Sequence, residues 1–359
     1  MTQWSVFSLS QIPDQAHRVE AFDADLRLFE LAEQLGFDRA WIAEHLFSTY
    51  GVVTSTQVYA AAIAERTKRL RIGTAVVVVP FNHPLRTASD FALIDVLSHG
   101  RLDFGAGRAY QPHEFVGLGL AMEHSRAMFT EGMDLIRRAW TEETVTHRGE
   151  FWTIPAPVEV LPKPVQQPHP PIWQAAVSPE SFTQAAECGY HLQLATPFTY
   201  RTYRERWMEE LETHLAGYED ACRRLGRDPK AAQRMLLVPF FVDASAARAR
   251  EVFGRHVEWF YAKVTANQLA GATGVVPGYE LTMAEGKRTR ELGYLTFDKL
   301  LQYGAAIAGD PDGCIDSLRA MKRRFGLTEF ALWFNIGGID PAACEAAMRL
   351  AAEKVLPFV

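Results

Sequence analysis

Along this chain, eight short β-like runs alternate with stretches whose apolar residues recur at helical spacing, and that alternation constrains the fold more than any single motif. The runs cover 6–9, 39–44, 70–79, 102–107, 172–176, 191–195, 235–242 and 329–336. Between the first two, ADLRLFELAEQL keeps its apolar residues on one helical face and stops at Gly36, a residue suited to the left-handed turn that ends helices. The same switch of period recurs in VYAAAIAERT, TASDFALIDVLS and MFTEGMDLIRRAW, and a last helix is predicted over 341–355. Such a pattern predicts a (β/α)8 TIM barrel, of class α/β, over an open doubly wound sheet. A length of 359 residues suits one barrel domain over 1–359 with insertions. One insertion, EFWTIPAPVEVLPKP, is Pro-rich and reads as hairpin-like near 149–164. A second stretch, 267–304, is polar, Gly-rich and weakly periodic, and loops of that length in compact domains usually serve as lids. A mobile lid is expected there.

Composition excludes several classes. The formal charge is −6 and no long basic run exists, so a nucleic-acid partner is not expected. The strongest apolar run, at 75–81, is far too short to cross a bilayer, and the start MTQWSVFSLSQIP lacks the pattern of a secretory leader. Cys188, Cys222, Cys314 and Cys344 fit no metal or redox spacing and are expected reduced and mostly buried, which together point to a cytoplasmic protein with no metal.

Barrel enzymes take their catalytic groups from the C-terminal ends of strands. Glu44 and His45 follow the second strand in WIAEHLFSTY, where a histidine can move protons near neutral pH; a buried histidine bonded to a backbone carbonyl is the alternative. The fourth strand closes as FGAGRAY and places Arg108 just past a glycine pair, though GAGRAY lacks the third glycine of a dinucleotide fingerprint. After the fifth strand, in AAVSPESF, Ser178 suits an N-cap, Pro179 the first helical position and Ser181 the first turn. A helix start with free amides and hydroxyls is an anion site, and Arg108 is a fitting counter-charge. The alternatives are that Ser178 only caps its helix and that Arg108 pairs with a surface acid.

The succession EHLFSTYG, RIGTAVVVVPFNHPLRTASDFALIDVLSHGRLDFGAGRAY, HRGEFW and PHPPIWQAAVSPESF resembles the luciferase-like flavin monooxygenase family, from about Ala24 to the terminal KVLPF. The resemblance implies a barrel that binds reduced FMN (FMNH2) in its mouth, admits O2 and forms a flavin C4a-hydroperoxide that oxygenates a small apolar organic substrate. It implies a separate NAD(P)H:flavin reductase as supplier, and a homodimer to which the helix AAAIAERT contributes. His45 would be the catalytic residue, with Glu44 beside the isoalloxazine. Arg108, Ser178 and Ser181 would hold the phosphate, and a cis non-proline peptide against the ring would map onto Ala75 and Val76. Tyr110 is counted with the cofactor-binding residues, and Trp4, Phe7, Phe47, Tyr50, Phe198 and Trp333 are expected in or near the pocket wall. Light-emitting members have a second histidine where this chain has Leu46, a cysteine where it has Gly107 and an acid where it has Val177, so light emission is not expected. One rival reading is a dehydrogenase using the deazaflavin F420, whose acidic tail would call for basic residues such as Arg86, Arg126 and Lys287 along the mouth. Another is a non-catalytic flavin-binding protein.

Overall fold

The computed structural model describes residues 2–197, 204–270, 276, 279 and 296–359. Its strands, in chain order, are β1 (Gln3–Ser8), β2 (Arg39–Ile42), β3 (Arg71–Thr74), β4 (Val77–Val78), β5 (Leu102–Gly107), β6 (Val145–Arg148), β7 (Thr153–Val158), β8 (Ile172–Ala175), β9 (His191–Ala195), β10 (Arg234–Val242), β11 (Ile307–Gly309) and β12 (Glu329–Trp333). Eight of them, β1, β2, β3, β5, β8, β9, β10 and β12, pair in parallel one after another, and β12 returns to β1 with Gln3 opposite Glu329. The sheet is closed, and the (β/α)8 barrel expected from the alternation is the fold. The helices are α1 (Arg18–Gln34), α2 (Thr56–Arg66), α3 (Pro84–Leu97), α4 (Pro112–Leu118), α5 (Ser125–Thr141), α6 (Pro179–Cys188), α7 (Trp207–Arg224), α8 (Ala246–Ala270), α9 (Phe297–Gln302), α10 (Pro311–Phe325) and α11 (Pro341–Lys354).

The barrel interior is built in layers because side chains along a strand alternate between its two faces. Near the N-terminal ends, Arg39 bonds Asp103 at 2.8 Å and pairs with Glu329, while its guanidinium lies 5.0 and 5.1 Å from the ring centres of Trp41 and Trp173. Burial alone would raise the Asp103 carboxyl, but the guanidiniums of Arg39 and Arg71 hold it below its ordinary value. One layer up, Trp41 fills the barrel centre, and Gly73 is what admits it: a Cβ on that residue would stand 2.2 Å from the indole. Two residues further along their strands come Ala43, Ala75, Gly107, Ala175 and Ala195, all small, and the interior opens into a cavity there. The strand residues thus fill the bottom of the barrel and leave its top vacant.

Elsewhere the differences from expectation have local causes. The predicted 70–79 strand is broken into β3 and β4 at the Ala75–Val76 peptide, which is cis. The hairpin is the antiparallel pair β6 and β7, and it starts earlier than the Pro-rich text suggested. Glu131 of α5 fixes its turn by accepting from the backbone N–H groups of Glu150, Phe151 and Trp152 at 3.0–3.1 Å. The two ends of the 267–304 stretch are helical, through the end of α8 and through α9, which Thr296 caps. Apart from residues 276 and 279, the rest of the expected lid up to residue 295 lies outside the described residues. Among the described residues no helix is long and apolar enough to cross a membrane, and no His, Cys, Asp and Glu cluster could hold a metal ion. Cys222, Cys314 and Cys344 are buried as free thiols, and Cys188 is exposed.

Candidate active site

The cavity at the C-terminal ends of the strands collects the eight residues expected to be catalytic or cofactor-binding: Glu44, His45, Ala75, Val76, Arg108, Tyr110, Ser178 and Ser181 line it together. Residues at both ends of its floor come from strands on opposite sides of the barrel, so only closure of the sheet brings them into one volume.

His45 and Glu44 both follow β2 and both are buried. His45 Nδ1 lies 2.9 Å from Glu114 Oε1 and 2.9 Å from the Tyr50 hydroxyl, and its Nε2 has no partner among the described residues. Glu114 also accepts from the Leu46 N–H at 2.9 Å, so one carboxylate fixes both the imidazole and the backbone after it. Glu44 accepts from the Val78 N–H at 3.2 Å. Its burial, reinforced by the Glu114 charge, pushes its carboxyl up to about 8. The site therefore sets a carboxyl group held toward its protonated form beside the Glu114 side chain that orients a histidine. Tyr110 stands edge-on to His45 with ring centres 5.8 Å apart, and burial together with the Glu114 charge raises its phenol above its ordinary value.

Arg108 reaches the cavity from the end of β5, and its guanidinium lies 4.4 Å from the ring centre of Tyr279. Ala109 next to it has φ 65°, in the left-handed region, where the Tyr279 hydroxyl donates to its carbonyl at 2.9 Å. At the end of the neighbouring strand β8, Ser178 is the N-cap of α6, Pro179 follows in its first turn, and Ser181 completes a capping box. Ser181 Oγ accepts from the Val177 and Ser178 N–H groups at 2.9 Å. Arg126 lines the same end and bonds Glu180 of α6 at 3.5 Å.

Sequence reading missed Glu114, Gln174, Gln193 and Tyr279. Glu114 was recoverable, since QPHEF is a helix start with Pro112 in its first turn, six residues past Arg108. Tyr279 falls within the expected lid, yet it is buried and covers Arg108. Of the described aromatic residues expected in the wall, Tyr110 alone lines this cavity. Trp4 stacks on Phe330, Phe7 and Trp333 pack edge-on 5.0 Å apart in the core, Tyr50 is buried behind His45, and Phe47 is exposed. Phe198 lies outside the described residues. The apolar part of the wall comes instead from Val78, Leu194, Met235 and Leu237, together with Phe129 of α5. Of the basic residues considered for an acidic tail, Arg86 is exposed on α3 and pairs with Asp90 at 3.0 Å, and Lys287 lies outside the described residues.

The residues fit a flavin. Gln174 and Gln193 both line the cavity, and each leaves a buried Oε1 without a donor among the described residues, which matches the hydroxyl and ring N–H donors of such a group. Gly107 keeps the floor low: a Cβ there would meet Val76 Cγ2 at 2.7 Å.

Residues 2–329 match the luciferase-like monooxygenase family. The oxygenase component of the flavin-dependent trigonelline monooxygenase of Acinetobacter baylyi is 30% identical over 97% of this chain and 93% of that protein. The crystal structure of monooxygenase RslO1 from Streptomyces bottropensis superposes with TM-score 0.85 at 29% identity, covering 99% of each chain. At 16% identity, the oxygenating constituent of 3,6-diketocamphane monooxygenase from Pseudomonas putida, in complex with FMN, shares the fold with TM-score 0.79 over 100% of this chain and 99% of that one. An F420-dependent secondary alcohol dehydrogenase shares it at 19% identity with TM-score 0.73, covering 99% and 98% of the two chains. With a closed barrel, a mouth that collects its predicted site residues, and a family match across nearly its whole length, this chain belongs to the luciferase-like monooxygenase family and is a flavin monooxygenase.

Proposed function

We propose that the barrel mouth binds reduced FMN and that the chain acts as the oxygenase component of a two-component monooxygenase. An NAD(P)H:flavin reductase would supply the cofactor, and O2 and a small apolar organic molecule would be the co-substrates. The reading is carried by the convergence of Arg108, the α6 N-terminus and the His45–Glu114 pair on one cavity. Arg108 and the hydroxyls of Ser178 and Ser181 would hold the phosphate at the start of α6, and Ala75, Val76 and Tyr110 would border the ring. Reduced FMN, when bound, supplies the electrons that activate O2 for transfer of one oxygen atom to the substrate. Glu114 and Tyr50 would fix His45 through Nδ1 and leave Nε2 for proton exchange in the cavity, and Glu44 would border the ring as a carboxyl group whose burial favours its protonated form. Val78, Phe129, Leu194, Met235 and Leu237 would keep water from the reacting atoms.

FMN is favoured over F420 by Glu180. It sits beside Arg126 at the phosphate end, where an acidic tail would meet a carboxylate. A homodimer is supported by Val58 on α2 and Leu93 and Leu97 on α3, which expose 72%, 46% and 42% of their surfaces on adjacent helices.

Anaerobic titration with photoreduced FMN, riboflavin and reduced F420 tests the reading. Reduced FMN should bind tightest, and R108A should weaken it by about 10- to 100-fold while leaving riboflavin unchanged. Tighter F420 binding, or indifference to R108A, would refute the assignment. Once air is admitted, reoxidation at the rate of free reduced FMN would make the chain a non-catalytic binder.

A further inference from the structure

A second cavity, of about 710 Å³, opens at the other end of the barrel, where the chain enters β10 and β12. Lys230, Arg319, Lys322 and Arg323 line it, together with the buried Arg234. Glu219 is the one carboxylate side chain among its described lining residues, and it is already engaged by Arg234 at 2.8 Å and Arg223 at 3.1 Å. Lys322 Nζ donates to the Val359 carbonyl at 2.9 Å, and Arg234 also donates to the carbonyls of Phe325 and Pro229 at 3.2 and 3.3 Å. Lys230, Arg319 and Arg323 have no side-chain hydrogen bond or ion pair among the described residues.

Carboxylates are not scarce nearby. Arg324, on the same helix, bonds Glu212 at 2.9 Å through both Nε and Nη2 and reaches Glu209 at 3.3 Å. The α7 side of α10 is thus neutralised and the cavity side is not. Cations in the last turn suit the helix dipole, but Arg319 and Arg323 stand four residues apart on one face, where like charges repel. A chain with a net charge of −6 therefore concentrates unpaired positive charge around a concave space of small-molecule size.

We propose that this cavity binds a small polyanion carrying two or more phosphate groups. Arg319 and Arg323 supply planar guanidinium forks that match phosphate oxygens, and Lys230 adds a point charge. Ala232 and Leu327 leave an apolar strip on which a base could rest, so an inorganic polyphosphate and a nucleoside diphosphate share the required chemistry.

Isothermal titration of the full chain at fixed ionic strength, with inorganic pyrophosphate, ADP and orthophosphate, tests the site. Pyrophosphate should bind saturably at one site and at least about tenfold more tightly than orthophosphate. R319Q/R323Q should weaken it at least about tenfold, R319K/R323K should give an intermediate loss, and R108A should leave it unchanged, separating this cavity from the mouth. Binding of ADP tighter than pyrophosphate assigns a nucleotide, and equal binding an inorganic polyphosphate. The proposal is overturned if no saturable binding occurs, if R108A abolishes it while R319Q/R323Q does not, or if an octaglutamate peptide binds and pyrophosphate does not.

Discussion

Glu114 Oε1 lies 2.9 Å from both His45 Nδ1 and the Leu46 N–H, so one buried carboxylate orients the imidazole that faces the cavity. Such a pair fixes which ring nitrogen is left for proton transfer. H45A is expected to reduce substrate-dependent oxygen uptake by about 10²-fold or more while reduced FMN still binds. E114Q keeps an acceptor for Leu46 and loses the charge, and should cost roughly tenfold in the same assay. Unchanged coupled turnover in H45A would remove the histidine from the chemistry.

Glu44 gives the fold a pH dependence of defined sign. Its folded-state carboxyl is raised from 4.5 to about 8, so between those values the folded chain holds a proton that the unfolded chain has released. Stability must then fall as pH rises through that window and level off above it. E44Q retains an acceptor for the Val78 N–H and cannot ionise. Relative to the parent it should gain on the order of 2 kcal/mol between about pH 5 and about pH 9, read from urea midpoints. Parallel pH profiles for the two proteins would contradict this.

Gly107 admits Val76 to the cavity floor, since any Cβ there would stand 2.7 Å from Val76 Cγ2. Cysteine should not be tolerated at this position. G107C is expected to destabilise by about 1–3 kcal/mol through overpacking and to weaken reduced FMN binding. A variant with the parent's thermal midpoint and affinity would show that Val76 moves freely.

Arg39 neutralises two buried carboxylates, Asp103 and Glu329. Removing it leaves Glu329 without its cation in the barrel interior and Asp103 with Arg71 alone. R39A should cost about 3–5 kcal/mol in equilibrium unfolding, whereas a surface change such as R86A, at an exposed pair, should cost less than about 1 kcal/mol. Comparable losses in the two variants would mean that the interior cluster is not energetically special.

Much of the barrel was legible because local rules fix it. β5 and β9 fall where the apolar runs predicted them, at Leu102–Gly107 and His191–Ala195, and Ser178 with Pro179 begins α6 as capping chemistry requires. β11 was missed: three residues are too few to show a period, and pairing with β10 makes them a strand.

Within the site, the order of residues along the chain determined which groups arrive at strand ends, because alternation on a strand and capping on a helix act over a few residues. It could not decide which aromatic rings would turn inward to the core, as Phe7 and Trp333 do, nor that Glu114 would meet His45 from 69 positions away. Those outcomes depend on sheet closure and on which neighbour already fills a space. Trp41 occupies the barrel centre because Gly73 vacates it, and the mouth is open because five small residues from five strands share one level. Each of those residues is unremarked in its own segment; only three-dimensional registry makes them a cavity.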